Sequence, residues 1–180
     1  MPVLTRTLLL GTLTVAFGGN APGTVTKVDP PAPLVDAADF DKSLRCMALN
    51  VYHEARSEKE DGQLAVAAVT LNRVRSESFP DSVCAVVKQG GQDRNRCQFS
   101  WWCDGKSDRP KNAKAWKEAK RISRLTLLGL AEDPTDGALY YHATYAKPRW
   151  SRKFVRTAHI DHHVFYRPKS ADPIRVAGLN

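Results

Sequence analysis

Apolar residues recur at helical spacing through the middle of the chain. Leu44, Met47, Ala48, Val51 and Ala55 fall on one helix face, with Asp39 or Asp41 placed to cap it. Ser57-Glu58-Lys59-Glu60 has the S-x-x-E form of a capping box and predicts a second helix opening there. Its expected apolar face is Leu64, Ala67, Ala68, Leu71 and Val74, and Phe79-Pro80 would end it. A short third helix is predicted over residues 81–88, stopped by Gly90-Gly91. Residues 92–111 are polar, aromatic and irregular. Ala115, Trp116, Ala119 and Ile122 then mark a fourth helix, with Lys114, Lys117, Lys120, Arg121 and Arg124 on its wet side. Beyond the turn-forming Asp133-Pro134-Thr135-Asp136-Gly137, Ala138 to His142 reads as extended and Val164-Phe165-Tyr166 as a second strand. The pattern predicts one α+β domain, mainly helical, with a small β-element near its C-terminal end.

The ends have a different texture. Arg6 is the only charged residue before Lys27, and an apolar run from Leu8 to Phe17 leads into the small residues Gly18 to Ala21. That is the form of a secretory leader, and the run is short for a membrane span, which needs roughly 17–25 residues. Residues 1–21 are therefore expected to be a signal peptide or N-terminal anchor, with no stable span once a leader is removed. The protein would be exported to the periplasm or cell wall. Residues 22–35, broken by Pro22, Pro30, Pro31 and Pro33, read as a linker. Residues 36–168 form the expected domain and 169–180 a loose tail. Cys46, Cys84, Cys97 and Cys103 are an even set that an oxidising compartment would pair. Three pairings are open. Cys97–Cys103 with Cys46–Cys84 is favoured, because the short loop between the first two closes easily. No C-x-x-C spacing speaks for zinc.

With 180 residues there is room for one ordinary domain. Lys and Arg number 27 against 19 Asp and Glu, a net charge of +8 that calls for an anionic partner: nucleic acid, a membrane surface or an acidic wall polymer. The leader and the cysteines argue against nucleic acid. By helical register Glu54 sits at the border of the first helix's apolar face, beside Tyr52 and His53. Half-burial there would raise its pKa towards that of a general acid. A surface glutamate paired with Arg56 or a lysine is the plainer alternative. His53-Glu54 lacks the second histidine of a zinc-protease helix, since Ser57 holds that position. His159, His162 and His163 cluster, but such histidines are more often solvated or core residues than ligands, so neither metal nor cofactor is expected. Asn72-Arg73 reads as a polar pair holding neighbouring loops. Trp101, Trp102 and Trp150 fit packing or sugar stacking.

Longer motifs sharpen this picture. Cys46 to Arg56, Gly62 to Val69, Leu71-Asn72-Arg73-Val74, Phe79-Pro80 and Val83 to Val87 together resemble the SleB-type cell wall hydrolase family, also called spore-cortex-lytic enzymes. The likeness continues through Gln98-Phe99-Ser100-Trp101, Asp133 to His142, Pro148-Arg149-Trp150, Thr157-Ala158, Ile160 and His163-Val164-Phe165-Tyr166. It covers about residues 44–167. The resemblance implies a fold related to lysozymes and lytic transglycosylases that cleaves peptidoglycan, with Glu54 as acid/base at the end of the first helix. It further implies that Tyr52, Gln98, Phe99, Ser100, Trp101, Tyr140, Tyr141, His142 and His163 line or brace the glycan cleft. Asp161 stands where the family pattern has glycine, and only local adjustment is expected, since Asp tolerates positive φ better than most residues. A lone carboxyl suits lytic transglycosylase chemistry, in which the substrate supplies the nucleophile. Hydrolytic muramidase, muramoyl-alanine amidase and a non-catalytic wall-binding module are the alternatives. A monomer acting on peptidoglycan is expected.

Overall fold

The structure is a computed structural model that describes residues 37–94 and 96–170. The expected leader (residues 1–21), the linker (22–35) and the tail beyond residue 170 lie outside the described residues. Within them run the helices α1 (Phe40–Ala55), α2 (Glu60–Arg75), α3 (Val83–Val87) and α4 (Ala113–Leu127), followed by strands β1 (Tyr140–Ala143), β2 (Val155–Ile160) and β3 (His163–Arg167). Single 3-10 turns occupy Ala37–Asp39, Ser100–Cys103 and Arg149–Lys153.

The expected face of α1 is buried in full, and the helix packs against α2, α3 and α4. Asp39 takes the N-cap position without a side-chain cap bond. Helix α4 begins close to its expected start, and Asn112 Oδ1 accepts from Ala115 N–H at 3.0 Å as its cap. Helix α3 is shorter than the expected span because Ser82, not Asp81, supplies its side-chain cap.

Helix α2 departs from expectation twice. Its N-cap is Lys59 and no capping box forms. Instead the turn between β2 and β3 lies over the helix start, and Asp161 Oδ2 accepts from Lys59 N–H at 2.9 Å. Glu58 turns the other way and accepts from His162 N–H at 3.2 Å. A tertiary acceptor has displaced the local one. Gly62 permits the approach, since a Cβ there would stand 2.6 Å from Asp161 Oδ2. Asp161 itself has φ 48°, in the left-handed region, as its replacement of a glycine suggested.

The second departure is burial. Val66, Ala67 and Leu71 face the helical core, while Ala65 and Val69 pack on Ala138 and Phe165 beneath the sheet. A helix held between two layers has no single apolar stripe, so the expected face captured only its helix-ward half.

The sheet is antiparallel in the order β1-β3-β2. Patterning indicated β1 and β3 but missed β2, which is largely exposed and carries a register shift between Arg156 and Ala158. Such a bulge spoils the alternation by which a strand is read. The disulfides are Cys46–Cys84 and Cys97–Cys103, the favoured pairing. Among the described residues, no helix is long and apolar enough to cross a membrane.

Candidate active site

Glu54 occupies the last turn of α1, half-buried, where the helix end meets β1. Tyr141 O–H donates to Glu54 Oε2 at 3.2 Å, its one side-chain hydrogen bond among the described residues. Burial pushes the Glu54 carboxyl above the ordinary glutamate range, while the Tyr141 hydrogen bond and the Arg73 guanidinium draw it part of the way back. The Tyr141 phenol, buried and next to Glu54, is held well above its ordinary value, so it stays protonated and donates.

Around Glu54 is a cavity of about 450 Å³. Gln98, Phe99, Ser100, Tyr141, His142 and His163 line it, and Glu54 is its one carboxyl group among the described residues. The register of the sheet explains half of this set. Tyr141 pairs with Phe165, His142 with Val164 and Ala143 with His163 across β1 and β3. His142 has its tautomer set by its partners. A backbone carbonyl can only accept, so Nδ1–H donates to Ala143 O at 2.9 Å and Nε2 accepts from Tyr166 O–H at 3.1 Å. Burial holds His163 below its ordinary value and therefore neutral near pH 7.

Three expected residues lie elsewhere. Tyr52 faces a neighbouring cavity, and its hydroxyl accepts from Lys111 N–H and Asn112 N–H, each at 3.0 Å. Trp101 faces the same cavity, stacks on His53 at 4.6 Å and donates from Nε1 to buried Asn50 Oδ1 at 3.2 Å. Tyr140 packs among Phe79, Trp150 and Phe154. The other suggested groups disperse as well. His162 bonds to Glu58, and no group of three or more His, Cys, Asp or Glu among the described residues is placed to hold a metal ion.

Two cavity residues carried no clear signal in the sequence. Tyr145, beyond β1, stands at the cavity with 88% of its surface exposed. Arg73 reads from the sequence as a partner of loops. Its neighbour Asn72 is one, donating to Asp133 Oδ2 at 2.8 Å and Ala138 O at 3.2 Å. Arg73 is likewise tied to the loop before β1, and it is 2% exposed on the wall of the Glu54 cavity. Its Nε–H donates to Leu139 O at 2.7 Å, and the rings of Phe79, Phe99 and Tyr140 lie 5.1, 5.5 and 5.9 Å from the guanidinium carbon. Its Nη1 is buried without a hydrogen-bond partner. A buried cation with no ion-pair partner among the described residues is costly, and Glu54 is the carboxyl that acts on its charge.

Known proteins resemble this chain. The model of the cell wall hydrolase family matches residues 57–166, a span that begins just after Glu54. The spore cortex-lytic enzyme of Bacillus subtilis (strain 168) is 32% identical over 151 residues, which is 81% of this chain and 44% of that protein. That of Bacillus cereus is 33% identical over 153 residues, 82% of this chain and 54% of that protein. The chain thus spans about half the length of these curated relatives. Among solved structures, the catalytic domain of the Bacillus cereus SleB protein superposes with a TM-score of 0.56 at 31% identity, covering 81% of this chain and 100% of that one. The catalytic domain of the germination-specific lytic transglycosylase SleB from Bacillus anthracis gives 0.59 at 33% identity, covering 74% and 100%. Since the family match takes in more than half of the chain, this protein belongs to the cell wall hydrolase family.

Proposed function

We propose that this protein cleaves the glycan strand of peptidoglycan between N-acetylmuramic acid and N-acetylglucosamine, in the periplasm or cell wall, as a lytic transglycosylase. The observation that carries the reading is the single carboxyl group that the described residues place in the cavity. Glycosidases that use water commonly flank the scissile bond with two carboxylates, and among the described residues Glu54 has no second one beside it. Glu58 is committed to His162, and Asp61 lies exposed at the start of α2. The name of the Bacillus anthracis structure, a lytic transglycosylase, supports the same chemistry.

Burial raises the pKa of Glu54 and so favours the protonated form that a general acid needs at rest. It donates that proton to the leaving oxygen of N-acetylglucosamine as the bond from muramic C1 to that oxygen breaks. Positive charge then develops at C1, opposite the new Glu54 carboxylate. The muramic C6 hydroxyl closes on C1, and Glu54 takes up the hydroxyl proton as the new C–O bond forms. The products are a 1,6-anhydromuramic end and a free 4-hydroxyl. No water is consumed, and Glu54 ends protonated. Holding the C6 hydroxyl within the same molecule replaces both water and a second carboxylate.

Arg73 and Tyr141 serve the middle of this cycle. Both favour the carboxylate form of Glu54, so they make proton donation easier without taking part in bond making. Gln98, Ser100 and His142 offer polar groups, and the exposed Tyr145 an aromatic face, to the sugars.

Mass spectrometry of the products from purified peptidoglycan tests the proposal. Fragments ending in anhydromuramic acid, one water lighter than hydrolysis products and absent with Glu54→Gln, are expected. Reducing muramic ends would mean hydrolysis, and released peptides with intact glycan would mean an amidase. Cleavage untouched by the substitution would remove Glu54 from the mechanism.

A further inference from the structure

On the other side of His53 a second cavity opens, of about 810 Å³. Its walls are Tyr52, His53, Trp101 and the loop of residues 104–112. The loop is tied to α1 at two points. Tyr52 Oη accepts from Lys111 and Asn112 N–H, and His53 Nε2–H donates to Asp108 O at 3.2 Å. These bonds shape the pocket before any ligand arrives, which lowers the cost of binding.

Charge on its rim is net positive. Arg56, Lys106, Arg109 and Lys111 face Asp104 and Asp108. Lys106 lies 3.9 Å from Asp104, whereas Arg56, Arg109 and Lys111 enter no ion pair among the described residues. The Arg56 guanidinium rests over the Tyr52 ring at 5.3 Å, which holds it in place and leaves its donors free. His53 belongs to both cavities. A group bound among these cations is therefore next to whatever lies against Glu54.

We propose that this pocket binds the carboxylates of the peptide stem carried by a muramic residue at or beside the cleavage point, so that the protein prefers stem-bearing over stripped glycan. The inference rests on the glycan-cleaving reading. Muramic acid bears its peptide on the lactyl group, and a four-residue stem spans about 13 Å when extended, enough to pass from one cavity to the next. Its carboxylates match the unpaired cations, two of them guanidinium forks suited to bidentate contact, and its aliphatic carbons match the Tyr52 and Trp101 walls. A phosphate polymer would meet the same cations. The cleaved residue, however, needs its C6 hydroxyl free, and the link through His53 favours a group the substrate carries elsewhere on the sugar.

Binding to the Glu54→Gln variant by calorimetry provides the test, with stem-bearing strands set against the same strands stripped by an amidase. Stem-bearing strands are expected to bind about five- to tenfold more tightly, the sum of a few exposed ion pairs, with the margin shrinking as salt is added. Adding Arg56→Gln, Arg109→Gln and Lys111→Gln together should bring the ratio close to one. Removing equal charge from α4, with Lys114→Gln, Lys117→Gln and Arg124→Gln, should leave it in place. Circular dichroism and retained binding of stripped strands verify that the triple variant is folded. Equal binding of the two preparations, or a ratio unmoved by the pocket variant, overturns the inference. So does competition by glycerol-phosphate oligomers but not by free stem peptide. Should wild-type protein cleave neither preparation, the glycan reading itself falls; cleavage with no stem preference removes this inference alone.

Discussion

The two cavities that meet at His53 differ in what holds their charged groups. Glu54 and Arg73 are carried by helices packed into the core, and their neighbours Phe99 and Tyr141 are fixed by packing against Arg73, His163 and Phe165. Across His53, Arg56, Arg109 and Lys111 are exposed and reach from a helix end and a loop into solvent. Desolvation shifts the proton affinity of the first two groups; solvation keeps the second set weak one by one and additive. Proton transfer needs the first environment, and holding a variable, mobile ligand suits the second.

Glu54→Gln probes that contrast hardest. Cleavage is expected to fall about 10²–10⁴-fold, the usual worth of a general acid/base. The wild-type profile should retain activity on the acid side and lose it as pH rises through the Glu54 pKa, above the ordinary glutamate range. Stability has the same sign. A carboxyl whose pKa is raised by folding contributes fully below its unfolded value and loses that contribution as pH rises through the folded one. At neutral pH, Glu54→Gln should therefore melt above the wild type. A lower melting point would contradict a desolvated carboxyl.

Arg73→Met comes next, with activity falling about ten- to a hundredfold. The alkaline limb should move to higher pH, because the cation that draws Glu54 downward is gone. Arg73→Lys should keep the limb near its original place. A purely structural role would lower activity in both variants without moving the limb. Tyr141→Phe removes one hydrogen bond to the carboxylate and should cost about tenfold in kcat, again with the limb shifted upward. Tyr145→Ala sharpens the boundary between the two environments. As an exposed ring at the cavity, it should raise KM about two- to fivefold through lost contact area and spare kcat. Asp161→Gly gives the smallest effect. It loses the Lys59 contact and relieves a positive φ, so the net change should stay within about 1 kcal/mol by thermal melting, with the pH profile unaltered.

Local pattern was a good guide wherever the structure kept to local rules. The face of α1, the presence of α4, two of the three strands and the disulfide pairing were legible from spacing. Glu54 stood out through its place at a helix border and the motif around it. Elsewhere a distant segment intervened. The capping box at Ser57 yielded to Asp161, which arrives from the β2–β3 turn. Helix α2 looked one-sided because the Ala65 and Val69 face, small and unremarkable in sequence, is covered by the sheet. Tyr140 and Tyr141 are neighbours in a strand, so the pleat sends them to opposite faces, one to the Phe79 and Phe154 cluster and one to Glu54.

Sequence by itself placed the helical core, pointed to the family and nominated the candidate acid, because periodicity and motifs record which residues share a face or a turn. Tertiary structure alone brought Arg73 to Glu54. An arginine on a helix is surface charge by every local rule, and it becomes a buried cation in the Glu54 cavity only when Leu139, just before β1, supplies its carbonyl and Phe79, Phe99 and Tyr140 close over it. The pocket behind His53 is likewise a product of the fold, since Tyr52 and His53 must hold the backbone of the 104–112 loop before its cations share a cavity. Burial and convergence depend on segments far apart in the chain, and no local spacing encodes them.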